Sequence, residues 1–295
     1  VLEKVVQLAW NHLLERYGLP AYMLHGKLRE AQFGIVAYGK FGGLELGYGS
    51  DLDIVFLHDS SGNEQHTAGP QVIDNGEFFT RLSQRIIHIL NTYTSAGILY
   101  EVDMRLRPNG ASGLLVSSLD AFAEYQRRSA WTWENQALVR ARVVTGGGEI
   151  VRQFERIRSG VVARPRDPGK LRKEVMEMRQ RMRAELDKTN DRQLDLKHCR
   201  GGIVDVEFMV QCGTLLWSDE HPEILRHTDN LGLLATFLQA GLMSGDDAKA
   251  LADAYCAIRH RINHLALQEL PGLTDHEELA QHRATVAGIW DRFMG

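Results

Sequence analysis

The apolar residues of this 295-residue chain change their period once, at about residue 146. Before it, short runs rich in β-formers alternate with a helical stretch; after it, only helical spacing remains. Such a chain folds as a small sheet with helices, followed by a helical bundle. The spacing predicts strands over 33–38, 53–57, 97–103 and 114–117. It predicts helices over 1–17 and 77–95, with Gly97 at the C-cap of the second. Residues 60–76 read as a polar loop. Past Pro165 and Pro168, helices are expected over 169–188, 203–217, 230–240, 244–270 and 276–293, with no strand. Ser244 and Asp247 resemble a capping box. The boundaries drawn are 1–28 (helix and linker, the helix packing on the next domain or on one outside this chain), 29–150 and 151–295.

Charge excludes some functions. The net charge is −4, and residues 1–145 carry 13 Lys+Arg against 15 Asp+Glu, leaving 21 against 23 in the remainder. Neither half is a basic nucleic-acid module, which needs a cationic surface. No apolar run approaches the ~20 residues of a membrane span, and Val1-Leu-Glu-Lys4 is no secretory leader. A first residue other than Met suggests a piece of a longer protein. Three scattered cysteines (Cys199, Cys212, Cys256) fit reduced thiols in the cytoplasm.

The chemistry concentrates between Tyr38 and Ile54. Asp51 and Asp53 stand two apart at the mouth of an apolar strand, so both point to one face, while Leu52, Ile54 and Phe56 point to the other. Paired carboxylates repel unless a cation lies between them, and Mg²⁺ shared with substrate phosphates resolves that repulsion. Alone, such a pair is also compatible with a solvated turn. A third acid strengthens the metal reading: in the strand read through 99–107, alternation puts Glu101, Asp103, Arg105 and Arg107 on one face. Should this strand neighbour the first, Asp103 meets Asp51 and Asp53 beside two arginines, the make-up of a polyphosphate site. Five glycines precede the acids, Gly39 and Gly49 among them, and glycine lets backbone N–H groups approach a phosphate. Gly39-Lys40 is no P-loop, because the earlier glycine and the following Ser/Thr are missing.

Tyr38-Gly39-Lys40, ten residues, then Asp51-Leu-Asp53-Ile54 resembles the polymerase-β-like nucleotidyltransferase superfamily, with Lys40 where that pattern usually has Gly or Ser. Within it, the stretches 39–53, 101–115, 130–142 and 200–208 look like the glutamine synthetase adenylyltransferase family. The Gly-Tyr-Gly-Ser run ending at Ser50 is similar to the adenylylating rather than the adenylyl-removing half of that family. The resemblance implies an α+β fold class: a polymerase-β-like nucleotidyltransferase domain (small mixed sheet with helices) over 29–150, then an all-helical bundle over 151–295 similar to that of PII uridylyltransferases.

By that resemblance the chain is a Mg-dependent enzyme that moves AMP from ATP to a tyrosine hydroxyl of glutamine synthetase. The implied catalytic and metal residues are Asp51, Asp53 and Asp103, with two Mg²⁺; Gly39, Lys40, Gly49, Ser50, Arg105 and Arg107 would hold the nucleotide. Implied partners are glutamine synthetase, the PII signalling protein, glutamine as effector and the remainder of the same polypeptide. The alternatives are the phosphorolytic removing half, or transfer to another protein or small molecule. Trp131 and Trp133 are expected in an interdomain core rather than stacked on adenine. Arg140 and Arg142 read equally as phosphate or partner contacts and as solvated ends. The Gly201-Gly202 pair before a helix carrying Asp205 and Glu207 reads as structural more readily than as an anion site.

Overall fold

The computed structural model describes every residue of the chain except Ala96. In chain order the elements are α1 (Leu2–Tyr17), β1 (Leu19–Leu24), β2 (Lys27–Glu30), β3 (Phe33–Ala37), α2 (Gly39–Gly42), β4 (Leu52–His58), β5 (Asn63–Ala68), α3 (Asn75–Asn91), β6 (Val102–Asp103), β7 (Val116–Ser118), α4 (Leu119–Arg128), α5 (Thr132–Val139), β8 (Arg142–Gly146), α6 (Gly148–Val162), α7 (Pro168–Leu186), β9 (Leu194–Asp195), α8 (Ile203–Trp217), α9 (Asn230–Gln239), α10 (Gly245–Leu267), β10 (Leu273–Thr274) and α11 (Ala280–Met294). They form two compact units. The first comprises 1–42, 50–130 and 140–161; the second comprises 43–49, 131–139 and 162–295.

In the first unit, a mixed sheet runs β6-β4-β3-β8, with β7 also on β4. β3 is antiparallel to β4 and β8, whereas β6 and β7 lie parallel to successive halves of β4. β3 is buried along its whole length, as a strand covered on both faces must be. One face sends Ile35, Leu52, Ile54 and Phe56 into a core with α1 and α3, including Val5, Leu13, Phe78, Phe79 and Leu82. On the other face Ile150 of α6 fills the space that a side chain at Gly34 would need. The apolar stripe read over 77–95 is this buried face of α3.

Several elements differ from the reading of the sequence. Residues 18–28 are no linker and 60–76 no simple loop: β1, β2 and β5 make a separate antiparallel sheet, ordered β2-β1-β5. β2 and β5 are polar because they are edges with most positions exposed. α1 packs on α3 within this unit. α3 ends at Asn91 with Thr92 as C-cap, so Gly97 is not the cap; it bridges Thr94 instead. The strand expected over 97–103 shrinks to Val102–Asp103, and the chain then turns. β8 went unread because its residues carry no alternation, all but the last being half-buried.

The second unit is helical except for β9 and β10, which pair antiparallel over two residues each. That ladder contradicts the expectation of no strand past 165; two residues are too few to leave a period in a sequence. α8 packs against α5, α7, α9, α10 and α11. α8 matches its predicted span of 203–217, and Ser244 caps α10 by accepting from the Asp247 N–H at 3.1 Å. Trp131 and Trp133 are 71% and 37% exposed, so they do not form the core expected of them. Among the described residues, no helix is long and apolar enough to cross a membrane.

Candidate active site

The N-terminal mouth of β4 carries Asp51 and Asp53, and parallel pairing with β6 puts Asp103 in register with Asp53. One carboxylate oxygen from each of Asp51, Asp53 and Asp103 lies within 4.8 Å of the others. Among the described residues this is the one group of three or more acidic, histidine or cysteine ligands so placed. Like charges side by side on neighbouring strands are destabilising. The cluster therefore fits a divalent cation: hard oxygen donors, mutually repelling, open on one side because Asp51 is exposed.

Arg105 supplies the cation that the protein itself brings. Its Nε donates to Asp103 Oδ2 at 2.8 Å and its backbone N–H to Oδ1 at 2.8 Å, with a further Nη2 bond to Oδ2. These bonds, the guanidinium's above all, hold the Asp103 carboxyl below the usual carboxylate range. The Asp103 bond raises Arg105 in turn, with smaller contributions from the charges of Asp51 and Asp53. Arg105 is 82% exposed, so its guanidinium is open to solvent beside Asp103.

The glycines act by what they lack. Gly39 has φ +51°, and a Cβ there would sit 2.3 Å from Asp53 Oδ2, so the Asp53 carboxylate occupies the space that a side chain would fill. The backbone adds a tether: the Tyr38 N–H donates to the Asp53 carbonyl at 2.9 Å. Gly42 lies against the backbone of Arg140 and Ala37 closely enough to exclude any side chain. Lys40 is exposed on α2, and Ser50 immediately precedes Asp51. Gly49, at φ +66°, falls in the segment 43–49 that clusters with the second unit.

Arg107 is placed differently from the sequence expectation. The strand does not continue past Asp103, so alternation does not place Arg107, though its charge still helps hold the Asp103 carboxyl low. Its guanidinium donates to the carbonyls of Met104 (2.8 Å), Ala111 (3.0 Å) and Gly113 (3.3 Å), and pins the turn that follows β6.

Arg142 was underread. At the start of β8 it donates to the carbonyls of Gly42 (3.0 Å) and Phe41 (3.1 Å), the end of the turn that begins at Gly39. Burial lowers its pKa. Nothing in the sequence distinguishes a guanidinium that binds carbonyls from one that binds phosphate. The Gly201-Gly202 motif is structural: in the second unit, Asp205 accepts from the Gly201 N–H at 2.7 Å and from Arg179 at 2.6 Å.

Comparison with known proteins gives the family. Residues 1–157 match the family model of glutamate-ammonia ligase adenylyltransferase, and residues 169–290 match that of PII-uridylyltransferase. The chain is 51% identical over 294 residues to a bifunctional glutamine synthetase adenylyltransferase/adenylyl-removing enzyme of Thioalkalivibrio sulfidiphilus, covering 100% of this chain and 30% of that protein. To proteins of the same name from Hahella chejuensis and Pseudomonas aeruginosa it is 48% and 49% identical, over 99% and 98% of this chain and 31% and 30% of theirs. The chain thus spans about 30% of the length of the curated relatives it matches. With more than half of its residues inside one family model, the chain belongs to the glutamate-ammonia ligase adenylyltransferase family.

Proposed function

We propose that this chain transfers AMP from ATP to a tyrosine hydroxyl of glutamine synthetase, releasing pyrophosphate, on a polymerase-β-like nucleotidyltransferase fold. The observation that carries this reading is the convergence of Asp51, Asp53 and Asp103 at one end of a mixed sheet, in a member of an adenylyltransferase family. Asp51 and Asp53, with Asp103, would hold two Mg²⁺; bound there, Mg²⁺ offsets triphosphate charge and stabilises the departing pyrophosphate.

The remaining work falls to the chain's own groups. Gly39 leaves room for the Asp53 carboxylate, and the Tyr38 N–H fixes the Asp53 backbone through its carbonyl. Arg105, once off Asp103, and Lys40 have the charge to bind phosphate oxygens, and Ser50 and the Gly49 N–H would add neutral donors to the nucleotide. The acceptor hydroxyl, with a pKa near ~10, must lose its proton as it attacks phosphorus. Asp103, in register with Asp53, would take that proton or orient a metal ion that lowers the hydroxyl pKa. Regulation through the PII protein and glutamine, gating by the rest of the polypeptide, and cytoplasmic residence belong to the same proposal.

The test is AMP incorporation from labelled ATP into unmodified glutamine synthetase, with and without a chelator of Mg²⁺. It runs beside phosphate-dependent release of AMP from the modified form. Incorporation that the chelator stops is expected, and Asp53→Ala should reduce it by ~10³-fold or more with the fold intact. Release without incorporation would assign the chain to the removing activity. Full incorporation by folded Asp53→Ala would move the chemistry elsewhere.

A further inference from the structure

The loop that feeds β6 into the mixed sheet of the first unit is exposed and apolar. Tyr93, Ile98, Leu99 and Tyr100 are all exposed, Tyr93 at 80%. From Thr92 to Tyr100 the sequence holds no charged residue. Single exposed apolar side chains are ordinary, whereas a run of them in one short loop marks an interaction surface. Enrichment in tyrosine and depletion of charge are also what distinguish the centre of a protein interface.

The loop is braced from within. Thr94 and Gly97 exchange both backbone hydrogen bonds, at 3.0 and 2.9 Å, and the Tyr100 N–H donates to the Leu90 carbonyl of α3 at 3.2 Å. A surface formed in advance loses less freedom on binding. Its position follows from β6. The Leu52 N–H donates to the Glu101 carbonyl at 2.8 Å, so the residues before Glu101 lie past the mouth of β4, at the end where Asp51 and Asp53 stand. At most about 14 Å of extended chain separates Leu99 from Asp103. The sheet order β6-β4-β3-β8 fixes the side. Gly39 and Lys40 follow β3, on one side of β4, whereas Asp103 and the loop belong to β6, on the other. Phosphates held by Gly39 and Lys40 therefore leave the β6 side to the second reactant.

We infer that Tyr93, Ile98, Leu99 and Tyr100 dock the acceptor protein, seating an uncharged, apolar segment whose tyrosine presents its hydroxyl to Asp103. This rests on the AMP-transfer reading above and names the surface that the acceptor occupies. An acidic segment fits less well, because Asp51, Asp53, Glu101 and Asp103 stand at the same end of the sheet. Adenine stacked on these side chains fits less well, because it would draw the triphosphate away from Gly39 and Lys40.

The test is AMP transfer by this chain, with glutamine synthetase varied at saturating ATP and ATP varied at saturating glutamine synthetase. Tyr93→Ser, and Ile98→Ser combined with Leu99→Ser, should each raise KM for glutamine synthetase by about tenfold or more. KM for ATP and kcat should each stay within about twofold. Leu99→Met keeps an apolar surface and should behave as the native chain. So should Leu28→Ser, at an exposed apolar position on β2. Co-sedimentation with unmodified glutamine synthetase reads docking without the reaction: the native chain should bind and the serine variants should not. An unchanged KM for glutamine synthetase in folded serine variants overturns the inference and leaves the loop to a second copy of the chain or to the rest of a longer polypeptide. A rise confined to KM for ATP overturns it in favour of base stacking. A native chain that docks through these residues yet transfers nothing overturns the transfer reading and keeps the docking surface; one that does neither overturns both.

Discussion

At Gly39 the absence of one carbon atom decides where a carboxylate sits. Gly39→Ala would set a methyl group 2.3 Å from Asp53 Oδ2. The side chain can rotate away, so the stability cost is modest, about 1 kcal/mol for alanine in the left-handed region. Activity is the sensitive quantity: an ångström of displacement costs on the order of 10²-fold in kcat. Kinetics of AMP transfer beside an unchanged circular dichroism spectrum check it. Arg105→Ala should act on the neighbouring acid. Without the guanidinium the Asp103 carboxyl rises toward its ordinary range, and transfer should fall by roughly tenfold or more from lost phosphate binding. Of these residues, the acids were legible because period-2 alternation is a backbone property and needs no partner. The local geometry of Arg107 was not legible, for the complementary reason. Its placement depends on where the strand stops, and that is fixed by three carbonyls further along the chain.

Among the elements, β4 carries the site at one end and a proton-sensitive residue at the other. His58 is buried against Phe79, ring centroids 4.8 Å apart, and burial pushes its pKa down to about 4. The unfolded chain, with an ordinary imidazole, binds the proton more readily. His58 therefore contributes stability that is complete above pH ~6.5 and is lost as pH falls toward 4, about 2 kcal/mol between pH 7 and 5. Urea midpoints at those two pH values should converge in His58→Leu relative to the native chain. Residues 203–217 were readable as a helix because their apolar content is dense and bounded. β5 was not: its sequence, NEQHTA, is what an edge strand with one buried threonine looks like, and that resembles a loop.

For the molecule as a whole, the boundary at 150/151 drawn from periodicity misses that the units interleave along the chain. Segments 43–49 and 131–139 belong with the helices. The reason is specific. Glu45 is buried within the second unit, where it accepts from the Asn230 N–H at 3.1 Å and from the Tyr255 hydroxyl. α5 packs on α7 and α8 in that unit. No local pattern announces a glutamate whose partners lie 185 and 210 residues away. Expressed alone, residues 162–295 should unfold at lower urea than the same unit in the intact chain, since they lack Glu45 and α5. A second expectation concerns Asp205, which is 1% exposed between Arg179 and Arg183. Asp205→Ala strands a buried guanidinium and should cost about 3–5 kcal/mol, visible in a denaturant titration.

β6 is only two residues long, joined to β4 through the Leu52–Val102 and Asp53–Asp103 pairs, with one more bond from the Leu52 N–H to the Glu101 carbonyl. Short ladders open without the rest of the molecule, so the amides near Val102 and Asp103 should exchange with solvent deuterium well before those of β3 and the centre of β4. Each such opening withdraws one of the three acids while the fold persists. For the proposed transfer, competence would then follow this local opening rather than global unfolding, and mild denaturant should silence transfer at concentrations where spectroscopy still reports a native protein.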